Sequence, residues 1–194
     1  MILTIGGRPG AWKSTIAKLL AEHLGYEVIS IGAIKRKLAQ EMGITISEFN
    51  QMGHDNPEFQ HEHDLKYETY QQNLPLESKI ILESRLGFYN QPDGFNVYLT
   101  LNRHIAAQRI FEHQREEDAS ESLEHVYETT QQRDREDRDA YIEFYGVDMG
   151  DMTKYDLVVD TGELTPEQVT EKILEAFSLF LKTQWLDTKQ LNTK

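Results

Sequence analysis

The sequence contains no cysteine, and none of its apolar runs reaches the roughly 18 residues of a membrane-spanning helix. The absence of cysteine excludes disulfide bonds and thiol nucleophiles, as is usual for proteins of a reducing compartment. The apolar segment at residues 1–5 is too short and too uncharged for a signal peptide. These absences predict a cytoplasmic protein that has no membrane partner.

Basic residues are also scarce, since 20 lysines and arginines stand against 33 acidic residues and give a formal net charge of −13. Such a charge repels nucleic acids and anionic membrane surfaces, so general polynucleotide binding is excluded and small-molecule partners are favoured. A chain of 194 residues with 39% hydrophobic content can bury one sizeable core. We therefore expect a single domain over 1–194, present as a monomer or a weak homodimer.

Strand-like apolar runs alternate with amphipathic stretches along the chain, which is the pattern of an α/β fold with a parallel sheet between helical layers. Strands are predicted at 2–5, 27–30, 79–83, 96–101 and 155–160. Helices are predicted at 14–24, 34–41, 46–52, 57–73, 105–116, 123–145 and 166–181. Two helical insertions, at about 34–73 and 105–145, interrupt the alternation and are expected to act as flaps over a site.

The segment GGRPGAWKST, residues 6–15, joins the first predicted strand to the first predicted helix. It fits the phosphate-loop pattern G-x-x-x-x-G-K-[ST] at all but one position. In such a loop backbone N–H groups bind phosphate, the lysine neutralises the outer phosphates, and the hydroxyl is a ligand of Mg²⁺. The predicted ATP-binding residues are Gly7, Arg8, Pro9, Gly10, Ala11, Trp12, Lys13, Ser14 and Thr15. The alternative is an ordinary Gly-Pro turn with an incidental lysine.

Trp12 is the exception, because it stands where the pattern has the glycine that precedes the lysine. Glycine at this position permits a backbone conformation that side chains disfavour. A tryptophan must therefore either strain the loop or open it. Its indole could recover part of the lost energy by packing against a lid or a nucleotide base.

Two further segments place charged residues after predicted strands, where parallel sheets bind their ligands. Lys35, Arg36 and Lys37 follow the second strand, and Glu83 and Arg85 lie at the end of the third. We expect Arg36 and Arg85 to share an anion-binding crevice with the loop lysine, and Glu83 to hold Mg²⁺ or to orient a nucleophile. The alternatives are a solvated helix face for the cations and a plain strand-terminating acid for Glu83.

The segment QQRDREDRDAYIEFYGVDM, residues 131–149, is dense in charges of both signs. Most of them are expected to form ion pairs on an exposed helix. An arginine on a closing lid can also stabilise the charge of a transferring phosphoryl group, and Arg133 is the first candidate.

These motifs together resemble the cytidylate kinase family of P-loop nucleoside monophosphate kinases, in its short archaeal form, over roughly residues 1–177. The resemblance is carried by GGRPGAWKSTIAKLLAEHLGYEVIS, Gly32-Ala33-Ile34-x-Arg36, Glu83-x-Arg85, RDREDR and YGVDMGDMTKYDLVVDTGELTPEQV. It implies a three-layer P-loop kinase fold with five parallel strands, a monophosphate-binding insertion and a lid.

The resemblance also implies roles for individual residues. Arg36 and Arg85 would bind the phosphate of the monophosphate, Arg133 would belong to the lid and Asp137 would lie near the nucleoside. The segment after Asp160 would border the adenine of ATP. This sequence departs from the family pattern at Trp12, at Glu83 and Ser84 in place of aspartate and glycine, and at Ala140 in place of a second lid arginine.

The resulting hypothesis is ATP- and Mg²⁺-dependent phosphorylation of a pyrimidine nucleoside monophosphate, with CMP or dCMP as the preferred acceptor. Lys13 and Arg133 would be catalytic, and Ser14 with Glu83 would hold the metal. Two alternatives remain open: a nucleotide-binding module impaired in transfer by Trp12 and Ala140, and a kinase for another small phosphorylatable acceptor.

Overall fold

A computed structural model describes residues 1–112 and 122–191 of the chain. The strands are β1 (Ile2–Gly7), β2 (Glu27–Ser30), β3 (Ile80–Glu83), β4 (Phe95–Thr100) and β5 (Leu157–Asp160). The helices are α1 (Lys13–Leu24), α2 (Ile31–Glu41), α3 (Ile46–Asp55), α4 (Pro57–Gln72), α5 (Gly87–Asn90), α6 (Arg103–Glu112), α7 (Leu123–Tyr145) and α8 (Pro166–Leu191).

The five strands form one parallel sheet in the order β2-β3-β1-β4-β5. The predicted α/β class and the five-stranded parallel sheet are therefore confirmed. The central strand β1 pairs with β3 on one side, with Ile5 opposite Glu83, and with β4 on the other, with Gly7 opposite Leu99. The carboxyl ends of β1, β3 and β4 consequently lie side by side, and the predicted site residues follow them.

Both faces of the central strands β1, β3 and β4 are buried, which explains why these strands read as continuous apolar runs. On one face Leu3, Ile5 and Val97 belong to a core shared with residues of α1 and α8, such as Leu20 and Ile173. The opposite face carries two smaller clusters. Their members are Leu86, Phe88, Tyr98, Tyr141, Met149 and Tyr155 in one, and Ile2, Ile31, Tyr67, Ile80 and Leu82 in the other. Since Tyr141 lies on α7 and Tyr67 on α4, these clusters hold both insertions against the sheet.

Several boundaries differ from the sequence prediction. Helix α2 begins at Ile31 rather than at 34, because the Ser30 side chain accepts a hydrogen bond from the Ala33 N–H at 3.2 Å and caps the helix directly after β2. Strand β1 continues to Gly7, since its last residues pair with β4. Helix α8 extends to Leu191, beyond the predicted end at 181. The predicted end of the 105–116 helix lies outside the described residues.

Buried polar side chains connect the first insertion to the core. Glu68 of α4 is 5% exposed and accepts hydrogen bonds from Asn90 of α5 and from Gln71. Gln91 donates to the Gln71 carbonyl at 2.6 Å. These contacts bind the carboxyl-terminal half of α4 to the core, whereas α3 has none of them. Within the described ranges, every helix is too short or too polar to cross a membrane.

Glu68 provides a test of this network. Burial raises the pKa of its carboxyl group to about 7, with nearby Asp64 raising it further and Lys35 and the Asn90 hydrogen bond opposing the shift. The unfolded chain ionises Glu68 near pH 4.5, so the folded state loses stability from this group as pH rises from about 4.5 to 7. We expect Glu68→Gln to raise the free energy of unfolding by about 1 to 3 kcal/mol at pH 8, and by much less at pH 5.

Urea unfolding at the two pH values measures this difference. Glu62→Gln is the matched control, because Glu62 is exposed on the same helix and its pKa is lowered by a hydrogen bond from Lys66. A stability gain for Glu68→Gln that did not depend on pH would contradict the assignment.

Candidate functional site

The loop between β1 and α1 is fixed by backbone contacts to its neighbours. The Arg8 N–H donates to the Leu99 carbonyl at 3.1 Å, and the Lys13 ammonium donates to the Arg8 carbonyl at 2.8 Å. Gly7 and Gly10 have φ values of 138° and 75°, a region that favours glycine. Helix α1 then begins without a side-chain cap on its first N–H groups, which leaves them available to an anion. The loop therefore has the geometry of a phosphate cradle.

The space around the two glycines is as restrictive as their φ angles. A Cβ on Gly7 would lie 2.3 Å from the Leu99 carbonyl oxygen, and one on Gly10 would lie 2.8 Å from the Ala106 carbonyl oxygen. Both contacts are with backbone atoms, which cannot relieve the clash by changing rotamer as a side chain can. Glycine is thus required at these positions by packing as well as by conformation.

Trp12 has a left-handed backbone conformation, with φ 60° and ψ 23°. It is the one non-glycine residue with positive φ among the described residues. The tryptophan therefore strains the loop rather than opening it, at a cost of about 1 to 3 kcal/mol. Its indole packs on the Arg109 guanidinium, whose central carbon lies 3.4 Å from the ring centroid. A cation–π contact of this kind offsets part of the strain.

Three of the predicted cations are brought together at the loop. Burial lowers the pKa of Lys13 to about 8, and the neighbouring Arg85 and Arg133 lower it further, while Glu83 raises it. Arg36 is half-buried on α2, and its guanidinium lies beside Gly32 of the same helix. The sheet brings the segments that carry Arg36 and Arg85 to the same edge, because Ser30 of β2 is the register partner of Glu83.

Ser14 and Glu83 form a pair of oxygen donors beside Lys13. The Ser14 hydroxyl donates to Glu83 Oε1 at 2.8 Å. The other carboxylate oxygen, Oε2, is buried and has no hydrogen-bond partner among the described residues. An orphaned acceptor is unfavourable by itself and fits a bound hard cation, which prefers oxygen ligands. This donor set suits Mg²⁺.

Helix α7, which the sequence predicts as part of a lid, contacts the core through acidic residues. Asp137 forms an ion pair with Arg85, and Arg133 Nε lies 3.9 Å from Asp137 Oδ2. Arg138 is engaged elsewhere, because it donates two hydrogen bonds to Asp148 at 2.7 and 2.5 Å. It therefore does not replace the arginine that the family pattern has at Ala140, and Ala140 itself lines the cavity described next.

A cavity of about 370 Å³ separates the first insertion from α7. Its walls include an aromatic group from α3 and α4, with Phe59 and His63 ring centroids 4.3 Å apart and Phe49 beside them. Asp64 pairs with Lys35 at 2.5 Å on the same wall, while Arg133 and Asp137 lie on the opposite side. A larger groove of about 920 Å³ runs along β5 and α8 and includes no residue of the phosphate loop. The smaller cavity is thus the one that adjoins the charged site residues.

The structure adds residues that the sequence prediction missed. Arg109 donates to the Thr161 hydroxyl and carbonyl at 3.1 and 2.7 Å and to the Gly162 carbonyl at 3.1 Å, so it joins α6 to the segment after β5. The sequence predicts Lys35 only as part of a run of charged residues, whereas in the structure it pairs with the buried Asp64. Neither role has a local signal, because in each case the partner is distant in sequence.

Comparisons with known proteins identify the family of this chain. Residues 2–163 match a family model that is described as "Cytidylate kinase-like family". A cytidylate kinase of Halobacterium salinarum is 33% identical over 93% of this chain and 91% of that protein. One of Archaeoglobus fulgidus is 32% identical over 91% of this chain and 94% of that protein. The crystal structure of a shikimate kinase from Bacteroides thetaiotaomicron superposes with a TM-score of 0.62 at 16% identity, covering 92% of this chain and 98% of that one.

The packing around Gly7 leads to a stability prediction. We expect Gly7→Ala to lower the free energy of unfolding by more than about 2 kcal/mol, because the new Cβ meets the Leu99 backbone and φ is unfavourable. Gly25→Ala is the matched control, since Gly25 has φ 65° with nothing within 4 Å of the added Cβ, and it should lose only about 1 kcal/mol. Equal losses in urea unfolding would show that the contact with Leu99 is unimportant.

Proposed function

The chain belongs to the cytidylate kinase-like family, and we propose that it transfers the γ-phosphoryl group of ATP to a phosphate oxygen of a pyrimidine nucleoside monophosphate, CMP or dCMP. One observation carries this proposal. The loop Lys13, the donor pair Ser14–Glu83 and the Arg85–Asp137 pair converge at the ends of β1 and β3, beside a cavity of about 370 Å³. The names of the two archaeal relatives support the cytosine nucleotide as acceptor.

In this reaction an oxygen of the acceptor phosphate attacks the γ-phosphorus as the bond to the β,γ-bridging oxygen breaks and ADP leaves. Lys13 would neutralise charge on the outer phosphates, and Arg133 would reach the equatorial oxygens from the lid. Arg36 and Arg85 would hold the acceptor phosphate. Catalysis would consist of positioning and charge stabilisation, with no covalent intermediate on the protein.

Ser14 and Glu83 would hold Mg²⁺, which would supply positive charge that neutralises the phosphates. The orphaned Glu83 Oε2 supports this role, because a carboxylate oxygen buried without a donor gains a partner when the cation binds.

Acceptor binding would require an exchange on Arg85. In the structure its guanidinium pairs with Asp137 of the lid helix. A phosphate dianion entering the crevice offers more negative charge and a better bidentate match than the carboxylate. Asp137 would then be released toward the cavity that it lines, which agrees with its expected position near the nucleoside.

A second candidate is a nucleotide-binding module with little transfer activity. The strained Trp12 in the phosphate loop and Ala140 in the lid favour it, since both are departures at positions where the family contacts phosphate. A coupled assay of ADP release with CMP, dCMP, UMP and AMP separates the two. Folded protein that binds ATP in calorimetry and turns over none of these acceptors would contradict the kinase proposal.

The role of Arg85 can be tested by substitution. Arg85→Lys keeps the charge but loses the planar pair of donors, so we expect the KM for CMP to rise about 10- to 100-fold. The Kd of ATP should change less than about threefold, because Arg85 is assigned to the acceptor. Arg138→Lys is the control, since Arg138 is exposed on the lid and pairs with Asp148. If ATP affinity fell with acceptor affinity unchanged, Arg85 would belong to the donor side.

The metal assignment has its own test. Glu83→Gln preserves size and removes the negative charge, so we expect the Mg²⁺ concentration for half-maximal rate to rise about tenfold or more. Mg²⁺ titration at fixed ATP and CMP measures the change. An unchanged requirement would assign Glu83 to the structural hydrogen bond with Ser14 alone.

A further inference from the structure

The contact between Trp12 and Arg109 lies directly beside the phosphate loop. Trp12 precedes Lys13, and its half-buried indole covers one face of the Arg109 guanidinium at 3.4 Å. The same guanidinium donates to Thr161 and Gly162, so it is held in place by the segment after β5. A fixed planar cation is thus paired with a flat aromatic ring at the edge of the site.

Planar guanidinium groups are stacking platforms for nucleobases, and aromatic rings stack on them in the same way. A nucleotide whose phosphates lie in the loop must place its base on one of the loop's two sides. On the β3 side stand Glu83, Arg85 and the lid residue Asp137, which are assigned above to metal and acceptor. The side toward α6 and β5 therefore remains for the base, and Arg109 is the planar group on that side.

Resting on the proposed function, we propose that the Trp12 indole occupies the donor-base platform on Arg109, so that the donor nucleotide is held through its phosphates and its base stacks only when the indole leaves. Trp12 is then an internal competitor of the base. The expected consequences are a weak contribution of the base to donor affinity and a movement of Trp12 when a complete nucleotide binds.

Trp12 and Trp185 are the two tryptophans of the chain, which makes the movement measurable. Trp185 is exposed on α8, so Trp185→Phe leaves Trp12 as the single fluorophore of its kind. In that background we expect ATP with Mg²⁺ to shift the emission of Trp12. Inorganic tripolyphosphate with Mg²⁺, which occupies the loop without a base, should bind with a much smaller shift.

Affinities give an independent readout. We expect ATP and tripolyphosphate to bind the unsubstituted protein within about threefold of each other. Trp12→Asn removes the ring and retains a residue that tolerates positive φ, so it should tighten ATP about tenfold and leave tripolyphosphate unchanged. Trp12→Gly should behave in the same way. Adding Arg109→Lys to Trp12→Asn should remove the gain for ATP, because lysine offers no planar face.

Three results would overturn the proposal. ATP binding at least tenfold tighter than tripolyphosphate, with that advantage lost in Trp12→Asn, would make the indole part of the base platform. ATP binding with no change in Trp12 emission would place the base elsewhere. Failure of both ligands to bind in calorimetry would remove the donor site and the proposed function together. Binding as expected without phosphoryl transfer would contradict the proposed function alone.

Discussion

The close approach of the phosphate loop to two backbone segments is the constraint on which the site depends. Gly7 lies against β4 at Leu99, and Gly10 lies against α6 at Ala106. A side chain at either position would meet backbone, and the loop would have to leave its place above the central strand. Position 12 differs because its side chain meets another side chain, that of Arg109. This explains how a tryptophan is accommodated at the last glycine of the motif while positions 7 and 10 keep glycine.

Much of the fold could be predicted from the sequence because its signals are local. Apolar runs predict all five strands, of which the central β1, β3 and β4 are buried on both faces, and helical periodicity with capping residues predicts most helices. The boundaries were less accurate where they depend on distant partners. Strand β1 extends to Gly7 because β4 pairs with it, and the short α5 is stabilised by side chains such as Asn90 that reach α4. The strand order could not be predicted, since it is a property of pairing across the whole chain.

The site residues likewise divide into those that local sequence signals predict and those that depend on contacts between distant parts of the chain. The loop, Glu83 and Arg85 could be found because each follows a strand end, and a parallel sheet brings strand ends to one edge. Arg109 could not be predicted as a site residue, because it lies in an amphipathic helix and no residue near it in sequence indicates a special role. Its significance comes only from Trp12 and Thr161, which the fold brings to it. Asp137 was assigned near the nucleoside by resemblance, and its pairing with Arg85 requires the docking of α7 on the core.

The cations of the site lie close to carboxylates of α7. Burial first, and then the nearby Arg85 and Arg133, disfavour the charged form of Lys13 and lower its pKa to about 8. The site balances this repulsion with carboxylates from the lid helix, of which Asp137 contacts Arg85 and Asp134 acts on Lys13. Each carboxylate partly neutralises a cation that would otherwise face other cations. Phosphate groups carry the same sign of charge, so they can take over these contacts without exposing the cations to one another. In the proposed reaction the substrate phosphates would therefore replace the carboxylates of α7, just as a nucleobase would replace the Trp12 indole on Arg109.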